Sequence, residues 1–324
     1  MSSSRRRFLR LVATGAAAAA VAPVGAVARA AEPPAKSRPK TPPGPAKPGA
    51  AFLKRSMVRA NGVDLFVRDT ASDLPAMLCL HGMEGRGETF TGLIARYRER
   101  YRIIAPDQRG HGLSGRPVAR YASEDMAEDA HQLLLRLRAT PAIVVAHSLS
   151  GRIAPVLAAR HPEAVKGLVL LDPAPGDGPE RPADTAPEKI PDQDPMTTDW
   201  PLPYPSREEA LRDLGQRFPG PVYPGFFAES LAETVAGYDF MWSGRAMAAI
   251  HEYRQDTDRM LPEIRCPVLL VRATQTQVCT PERAGKIRSL VRNCAYVEIA
   301  GGHMIYLEEP GETFKALDEW LART

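Results

Sequence analysis

The chain has 324 residues, of which 44% are hydrophobic, and a formal net charge of +4. A chain of this length can bury the core of one large domain or of two small ones. Residues 1–30 carry five arginines and no acidic residue, and residues 31–50 add a further basic excess, so the rest of the chain is slightly acidic. The positive charge therefore gives no support for nucleic-acid binding.

The first thirty residues have the pattern of a cleavable export signal. Arg5-Arg6-Arg7 precedes an alanine-rich apolar run over residues 11–27, and Ala28-Arg29-Ala30 resembles an A-x-A cleavage site. Paired arginines ahead of a modest apolar run are typical of twin-arginine export. A membrane anchor fits less well, because the run has about 17 residues and a span needs about 20. We expect export by the twin-arginine machinery, cleavage after about Ala30, and a periplasmic or secreted protein without a stable membrane anchor.

After residue 50, short apolar runs alternate with amphipathic segments. Val58 and residues 63–67 predict two antiparallel strands joined by Asn61-Gly62, a hairpin-turn signal. Residues 123–138 predict a helix, because acidic residues lie near its start, arginines near its end and apolar residues on one face. The other predicted elements are strands at residues 76–80, 101–105, 142–145, 167–171, 267–271 and 295–299, and a closing helix from about 311 to 321.

This alternation predicts an α/β fold with a mostly parallel eight-stranded sheet flanked by helices, and sites at the carboxyl ends of the strands. Residues 31–50 are rich in Pro, Ala, Lys and Gly, which predicts a flexible tether. Residues 173–260 interrupt the alternation with many prolines and aromatic residues, and are too long for a simple connection. We predict a core of residues 51–172 and 261–324 with residues 173–260 as an inserted cap.

The four cysteines do not form a metal or redox motif. Cys79, Cys266, Cys279 and Cys294 lie far apart, and no two of them have the C-x-x-C spacing. We therefore predict no metal site and no cofactor. Cys266 and Cys294 each begin a predicted strand, so they could form a disulfide if these strands are parallel neighbours in an oxidising compartment.

Residues 142–151 have the layout of a nucleophile elbow, a sharp turn between a strand and a helix. An apolar run leads into Ala146-His147-Ser148-Leu149-Ser150-Gly151. A serine at such a turn exposes its Oγ, and the N–H of the next residue points to the same place. The neighbours of Ser148 are small, as the close packing requires, although they are not the glycines of Gly-x-Ser-x-Gly. Alternatively, Ser148 could cap the following helix.

Another glycine-rich stretch, Leu80-His81-Gly82-Met83-Glu84-Gly85, directly follows a predicted strand. In a hydrolase with this elbow, the N–H groups of Met83 and Leu149 would form an oxyanion hole. The stretch matches neither G-x-G-x-x-G nor a Walker loop, so a nucleotide site is not indicated. Glu84 could polarise a water molecule or a substrate, although an exposed loop carboxylate is the simpler expectation.

A histidine also follows a predicted strand, in Ala300-Gly301-Gly302-His303-Met304-Ile305. Histidine suits general base catalysis near neutral pH, and His303 is the candidate base. We expect His147 to point away from the turn. His131, His161 and His251 lie in predicted helices and are expected to be solvated. The segment Asp107-Gln108-Arg109-Gly110-His111-Gly112-Leu113-Ser114 predicts a structural turn without a catalytic role.

From about Phe52 to Thr324 the chain resembles the α/β-hydrolase superfamily, specifically capped serine hydrolases of the esterase, lactonase, haloperoxidase and C–C hydrolase type. The resemblance rests on the ordered set of His81-Gly82, the 107–114 turn, the Ser148 elbow and Gly302-His303. It implies that Ser148 attacks a carbonyl, that His303 takes and returns the proton, and that water hydrolyses the acyl-enzyme. Dehalogenases and epoxide hydrolases of this fold use an aspartate nucleophile, so the serine argues against both.

The acid of the implied triad departs from the usual family pattern. The family usually places it shortly after the strand at 267–271, but Ala273-Thr274-Gln275-Thr276 has a threonine in the expected position. Some members supply the acid at the end of the preceding strand, where this chain has Asp172. We predict that Asp172 orients His303. An aspartate also ends this strand in relatives whose acid lies elsewhere, so a purely structural Asp172 is the alternative.

The resemblance implies an exported serine hydrolase whose partner is a small-molecule substrate, namely a small, largely apolar ester, thioester or lactone. Thr276 motivates a different hypothesis, in which a catalytically impaired α/β-hydrolase binds a small molecule as a sensor or carrier. A third hypothesis keeps the catalytic residues and changes the reaction to C–C bond hydrolysis or perhydrolysis.

Overall fold

A computed structural model describes residues 53–324. The predicted signal peptide and tether, residues 1–50, lie outside the described residues. Ten β-strands are present in this range: β1 Lys54–Ala60, β2 Val63–Asp69, β3 Ala76–Leu80, β4 Arg102–Pro106, β5 Ala142–His147, β6 Val165–Leu171, β7 Leu231–Thr234, β8 Gly237–Phe240, β9 Val268–Ala273 and β10 Cys294–Ile299. The α-helices are α1 Thr91–Tyr97, α2 Ser123–Arg136, α3 Ser150–Arg160, α4 Arg207–Arg217, α5 Val222–Ala228, α6 Gly244–Glu252, α7 Pro281–Leu290, α8 Ile305–Glu308 and α9 Pro310–Leu321.

Eight strands form one sheet in the order β1-β2-β4-β3-β5-β6-β9-β10. The pairs β1–β2 and β2–β4 are antiparallel, and the remaining neighbours are parallel. The predicted mostly parallel eight-stranded sheet is therefore confirmed. In the hairpin between β1 and β2, Asn61 and Gly62 have φ values of 45° and 76°, as a tight two-residue hairpin turn requires.

The helices bury both faces of the sheet, which explains why the central strands are apolar along their whole length. Every residue of β3, β5 and β9 is buried. Side chains of β5 alternate between the faces, so Val144 joins the apolar cluster that contains Ile153 of α3, whereas Val145 joins the cluster that contains Leu317 of α9.

The helix predicted over residues 123–138 ends at Arg136, two residues early. Arg138 has a φ of 50°, which is incompatible with helix continuation and is common just beyond helix ends. The closing helix runs from Pro310 to Leu321, within one residue of the prediction. Within residues 53–324, no helix is both long and apolar enough to cross a membrane.

Between β6 and β9 the chain leaves the sheet and forms α4, α5, the β7–β8 hairpin and α6. Most aromatic residues of this segment are buried against one another. Phe240 and Trp242 stack with ring centroids 4.1 Å apart, and Trp200 contacts Phe227 edge to face at 5.3 Å. The aromatic residues therefore form a core within the inserted segment.

All four cysteines are free thiols. Strands β9 and β10 are parallel neighbours, as the disulfide hypothesis required, but Cys294 pairs with Val268, two residues beyond Cys266. The register of the two strands therefore offsets Cys266 from Cys294 along the sheet.

Candidate active site

The turn between β5 and α3 holds Ser148 in a strained conformation. Ser148 has a φ of 52°, which non-glycine residues rarely adopt and which active sites often contain. Its backbone is fixed on both sides, because its N–H donates to the Leu171 carbonyl at 3.2 Å and its carbonyl accepts from the N–H of Ala174 at 2.9 Å. The end of β6 therefore anchors the turn and leaves the Oγ of Ser148 free to point outward.

The small neighbours of Ser148 have separate structural reasons. A Cβ atom at Gly151 would lie 2.7 Å from Cα of Pro173, so no side chain fits there. The hydroxyl of Ser150 is buried and donates to the His81 carbonyl at 2.6 Å. Ser150 thus takes the place of a glycine while linking the serine turn to the turn after β3.

Ser148, His303 and Asp172 lie in one line of hydrogen bonds. Nε2 of His303 is 2.8 Å from Oγ of Ser148, and Nδ1 of His303 is 2.6 Å from Oδ2 of Asp172. The three residues are 7%, 5% and 0% exposed, so water barely competes for these bonds. The three residues lie at the carboxyl ends of β5, β10 and β6, where a parallel sheet places its sites.

Asp172 follows β6 directly and has a φ of 40°. Its Oδ1 accepts the backbone N–H of Ala273, at the end of β9, at 3.1 Å. Burial raises the pKa of Asp172, while hydrogen bonds from His303, Ala273 and the Thr276 side chain act in the opposite direction. These donors favour the ionised carboxylate, which accepts the hydrogen bond from Nδ1–H of His303.

Thr276, the residue that stands where the family usually has its acid, lies beside Asp172. Its side chain is buried, accepts the N–H of Val278 at 3.0 Å and acts to lower the pKa of Asp172. Thr276 therefore favours the ionised form of Asp172, the carboxylate at the end of the neighbouring strand β6.

Glu308 is a residue of the site that no sequence pattern indicated. Its Oε2 accepts the backbone N–H of Gly302 at 2.6 Å, and its Oε1 accepts that of Met304 at 3.2 Å. The carboxylate thus holds the backbone on both sides of His303. The sequence shows that a carboxylate lies five residues after His303. It does not show that helix α8 packs against the loop that holds His303.

The turn after β3 approaches Ser148 closely. The N–H of Gly85 donates to the Gly82 carbonyl at 3.2 Å, which places Met83 and Glu84 at the centre of a β-turn. A Cβ atom at Gly82 would lie 2.9 Å from Cβ of Ser148. Among the hydrogen bonds of the described chain, none uses the N–H of Met83 or Leu149. These two amides, which adjoin the serine, are therefore available to an oxyanion.

The expectation that His147 points away from the turn is wrong. His147 is fully buried, and its Nε2 is 2.9 Å from the His303 carbonyl, with the two ring centroids 4.7 Å apart. Burial lowers the pKa of His147 well below its usual value, and the proximity of His303 lowers it further. His147 ends β5 on the side of the sheet that faces the loop of β10, so its neutral ring packs behind His303.

The expectation that Glu84 is an exposed carboxylate is also wrong. Glu84 is 4% exposed and has a φ of 62°, and Asp194 of the inserted segment is likewise 4% exposed. Burial raises the pKa of both groups, and the charge of Asp194 raises that of Glu84 further. Two neighbouring carboxyl groups in a buried site disfavour ionisation of both at once.

A pocket opens above Ser148 between the core and the inserted segment. It encloses about 530 Å³ of empty space, which includes open solvent at its mouth. Its polar lining comes from Glu84, His147, Ser148 and His303, and no Arg or Lys is part of it. The apolar lining consists of Met83, Met196, Trp200, Phe218, Tyr223, Phe226, Phe227 and Met304.

The fold and the serine turn define an α/β hydrolase. The family model of the alpha/beta hydrolase fold matches residues 75–310, and the chain belongs to this family. The AB hydrolase superfamily protein YisY of Bacillus subtilis is 28% identical over 254 residues, which cover 76% of this chain and 91% of that protein.

Another relative has a more specific name. The 2-(acetamidomethylene)succinate hydrolase of Mesorhizobium japonicum is 38% identical over 121 residues, which cover 37% of this chain and 43% of the relative's length. A crystal structure of an E-2-(acetamidomethylene)succinate hydrolase superposes with a TM-score of 0.71 and 26% identity, covering 83% of this chain and all of that one. The sequence similarity is therefore local, whereas the structural similarity extends over the whole relative.

Proposed function

We propose that the protein is a serine hydrolase that cleaves a small, largely apolar ester, thioester or lactone through an acyl-enzyme on Ser148. The observation that carries this proposal is the continuous hydrogen bonding from Ser148 through His303 to Asp172, at 2.8 and 2.6 Å. The family membership and the similarity to proteins named as hydrolases support the same class of activity.

The proposed reaction uses each group at a defined step. Oγ of Ser148 attacks the substrate carbonyl while its proton passes to Nε2 of His303, and Asp172 stabilises the resulting imidazolium. The N–H groups of Met83 and Leu149 stabilise the oxyanion. Collapse of the tetrahedral intermediate breaks the bond to the leaving group, which takes the proton from His303. Water then attacks the acyl-enzyme by the same route, which releases the acid and frees Ser148.

The lining of the pocket supports a neutral, largely apolar substrate. Aromatic and methionine side chains dominate it, and no cationic side chain is present to pair with a carboxylate. A succinate-like substrate would bring carboxylates close to the buried Glu84 and Asp194 without a positive partner. We therefore infer that the substrate differs in charge from the one in the relative's name.

The same geometry weakens the sensor hypothesis. That hypothesis rested on the missing acid at Thr276, and the Asp172 carboxylate within 2.6 Å of His303 now supplies a partner. C–C bond hydrolysis and perhydrolysis would use the same three residues, and no feature of the pocket favours either of them over ester cleavage.

Hydrolysis of p-nitrophenyl esters of increasing acyl chain length tests the proposal, with wild type, Ser148→Ala and Asp172→Asn compared. We expect wild-type turnover that Ser148→Ala abolishes, and the highest kcat/KM for short to medium uncharged acyl groups. Wild-type protein that is folded and hydrolyses none of these esters would contradict the proposal. Equal turnover by Ser148→Ala would move the nucleophile elsewhere.

The cellular location is a separate proposal. We propose that the protein is exported by the twin-arginine route, supported by Arg5-Arg6-Arg7, the apolar run after it and Ala28-Arg29-Ala30. N-terminal sequencing of the protein from fractionated cells should find Ala31 as the first residue in the periplasm or medium. An uncleaved N-terminus in the cytoplasmic fraction would contradict this proposal.

A further inference from the structure

Two histidines and a glutamate meet where α2 packs beside the end of α3. Among residues 53–324, Glu128, His131 and His161 are the one group of three or more His, Cys, Asp or Glu side chains whose ligand atoms all lie within 4.8 Å of one another. We propose that this group is a binding site for Zn²⁺ or a similar divalent transition-metal ion. It lies beyond the proposed hydrolase site and does not depend on it.

The distances between the ligand atoms suit a tetrahedral ion. Oε2 of Glu128 lies 3.2 Å from Nε2 of His161 and 3.5 Å from Nδ1 of His131. In a tetrahedral zinc site, bonds of about 2.1 Å place neighbouring ligand atoms about 3.4 Å apart. Two of the three separations therefore already have the value that one shared ion requires.

The surroundings of Nδ1 of His131 also support a metal site. This nitrogen is inaccessible to solvent and has no hydrogen-bond partner, which is costly for a polar atom unless something binds it. The two imidazole rings stack with their centroids 3.5 Å apart and 17° between their planes. One nitrogen of each ring lies near Glu128, and the other nitrogens lie at the opposite side of the pair. Because an imidazole binds a metal ion in the plane of its ring, the two rings must tilt apart for both nitrogens to bind one ion.

A second carboxylate lies at that opposite side. Oε1 of Glu163 is 3.9 Å from Nε2 of His131 and 3.8 Å from Nδ1 of His161. Metal-binding histidines commonly donate their remaining ring N–H to a carboxylate, which fixes the tautomer and the ring orientation. Glu163 can accept such a hydrogen bond from both rings if its carboxylate moves slightly closer to them. The group then has three metal ligands, Glu128, His131 and His161, and one outer carboxylate, Glu163.

The donor set selects the class of ion. Two imidazoles and one carboxylate suit Zn²⁺, Ni²⁺ and Cu²⁺, whereas Mg²⁺ and Ca²⁺ prefer oxygen ligands. Glu128 and His131 belong to α2, and His161 directly follows α3. A bound ion would therefore join the two helices and stabilise the fold. The 11 residues of α3 place this end of the helix about 16 Å from the turn that holds Ser148, so metal binding should leave ester hydrolysis unchanged.

Isothermal titration of the untagged, metal-free full chain with ZnCl₂ tests the proposal. We expect one Zn²⁺ per chain, no heat of binding with MgCl₂ or CaCl₂, and a Tm that rises on adding Zn²⁺. His131→Ala and His161→Ala should weaken Zn²⁺ binding more than 10-fold and remove the rise in Tm. Glu163→Gln should weaken binding about 10-fold, the typical cost of losing an outer partner.

His251→Ala is the matched control, because His251 is an exposed helical histidine outside the group. It should bind Zn²⁺ as wild type does. If the histidine variants do not fold, Glu128→Gln removes a half-exposed ligand with little change of shape and should show the same loss. Wild type that binds no Zn²⁺, or that binds it as tightly as Glu128→Gln and His131→Ala do, would overturn the proposal.

Discussion

The buried side chain of Thr276 lies beside the carboxylate of Asp172, at the ends of two neighbouring strands, and acts to lower the pKa of that carboxyl. Thr276 stands where the family usually has its acid. In this chain it acts instead on Asp172, the acid that the neighbouring strand β6 supplies. Both arrangements bring a carboxylate to Nδ1 of the same histidine, because β6 and β9 end at the same edge of the sheet.

Replacement of Asp172 tests whether it orients His303. Asp172→Asn should lower kcat by about 10⁴-fold and leave KM nearly unchanged, because the amide favours the wrong tautomer of the histidine. Steady-state kinetics on a p-nitrophenyl ester measure both constants. Wild-type kcat in a folded Asp172→Asn protein would show that another group orients the histidine.

Two substitutions separate the effect of the Thr276 hydroxyl from the effect of the side-chain volume. Thr276→Val removes the hydroxyl that acts to lower the pKa of Asp172, so this pKa should rise further and kcat should fall by about 10-fold, which corresponds to about one pKa unit. Thr276→Ser keeps the hydroxyl and should retain most of the activity. The pair of variants is compared by kcat at pH 7 and after a stepwise shift to pH 5, where the variant that lacks the hydroxyl should lose activity first.

Glu308 is expected to act as a positioning residue for His303. Its carboxylate accepts the N–H groups on both sides of the histidine, and misplacement of a catalytic group by about 1 Å can cost about 10²-fold in rate. Glu308→Ala should therefore lower kcat by 10- to 100-fold with a much smaller change in KM. A change confined to KM or to Tm would instead assign Glu308 a binding or purely structural role.

Gly82 should not tolerate a side chain, because a Cβ atom there would lie 2.9 Å from Cβ of Ser148. Gly82→Ala should displace the Met83 amide from the serine and lower kcat by about 10²-fold or more, the cost of losing one oxyanion donor. Gly285 of α7 is the matched control, since nothing lies within 4 Å of a Cβ atom there. Gly285→Ala should keep full activity and gain up to about 1 kcal/mol of stability.

The carboxyl pair of Glu84 and Asp194 predicts a pH dependence of stability. Burial raises the pKa of both groups above their unfolded values. Stability from the protonated pair is therefore fully present below about pH 4 and is lost as the pH rises through the folded-state pKa values. Glu84→Gln removes this loss, so its free energy of unfolding relative to wild type should increase from pH 4 to pH 8 in urea titrations. Parallel profiles would contradict the prediction.

The sequence predicted the sheet well because buried parallel strands are short apolar runs, and β3 was located to the residue. Ser148 and Asp172 directly follow such runs, and His303 lies four residues after β10. The choice of Asp172 as the acid also needed the family resemblance. Prediction from the sequence failed where the outcome depended on tertiary contacts. Glu84 looked like a loop residue until the inserted segment covered it, and no sequence pattern linked it to Asp194.

Glu308 and the metal-site group were not selected for a similar reason. The Glu308 carboxylate accepts backbone N–H groups four and six residues earlier in the chain, because the short helix α8 packs back onto the loop. His131 and His161 were expected to be solvated helical residues, because their proximity arises from the packing of α2 against α3. Such pairs depend on helix orientation, which local periodicity does not specify.

Covalent labelling tests whether Ser148 is an activated nucleophile. Folded wild-type protein is treated with a fluorophosphonate, digested and examined by peptide mass spectrometry, with Ser148→Ala treated in parallel. We expect one adduct in wild type, on the peptide that contains Ser148, and none in Ser148→Ala. Folded wild type without an adduct, or with the adduct at another serine, would contradict this expectation.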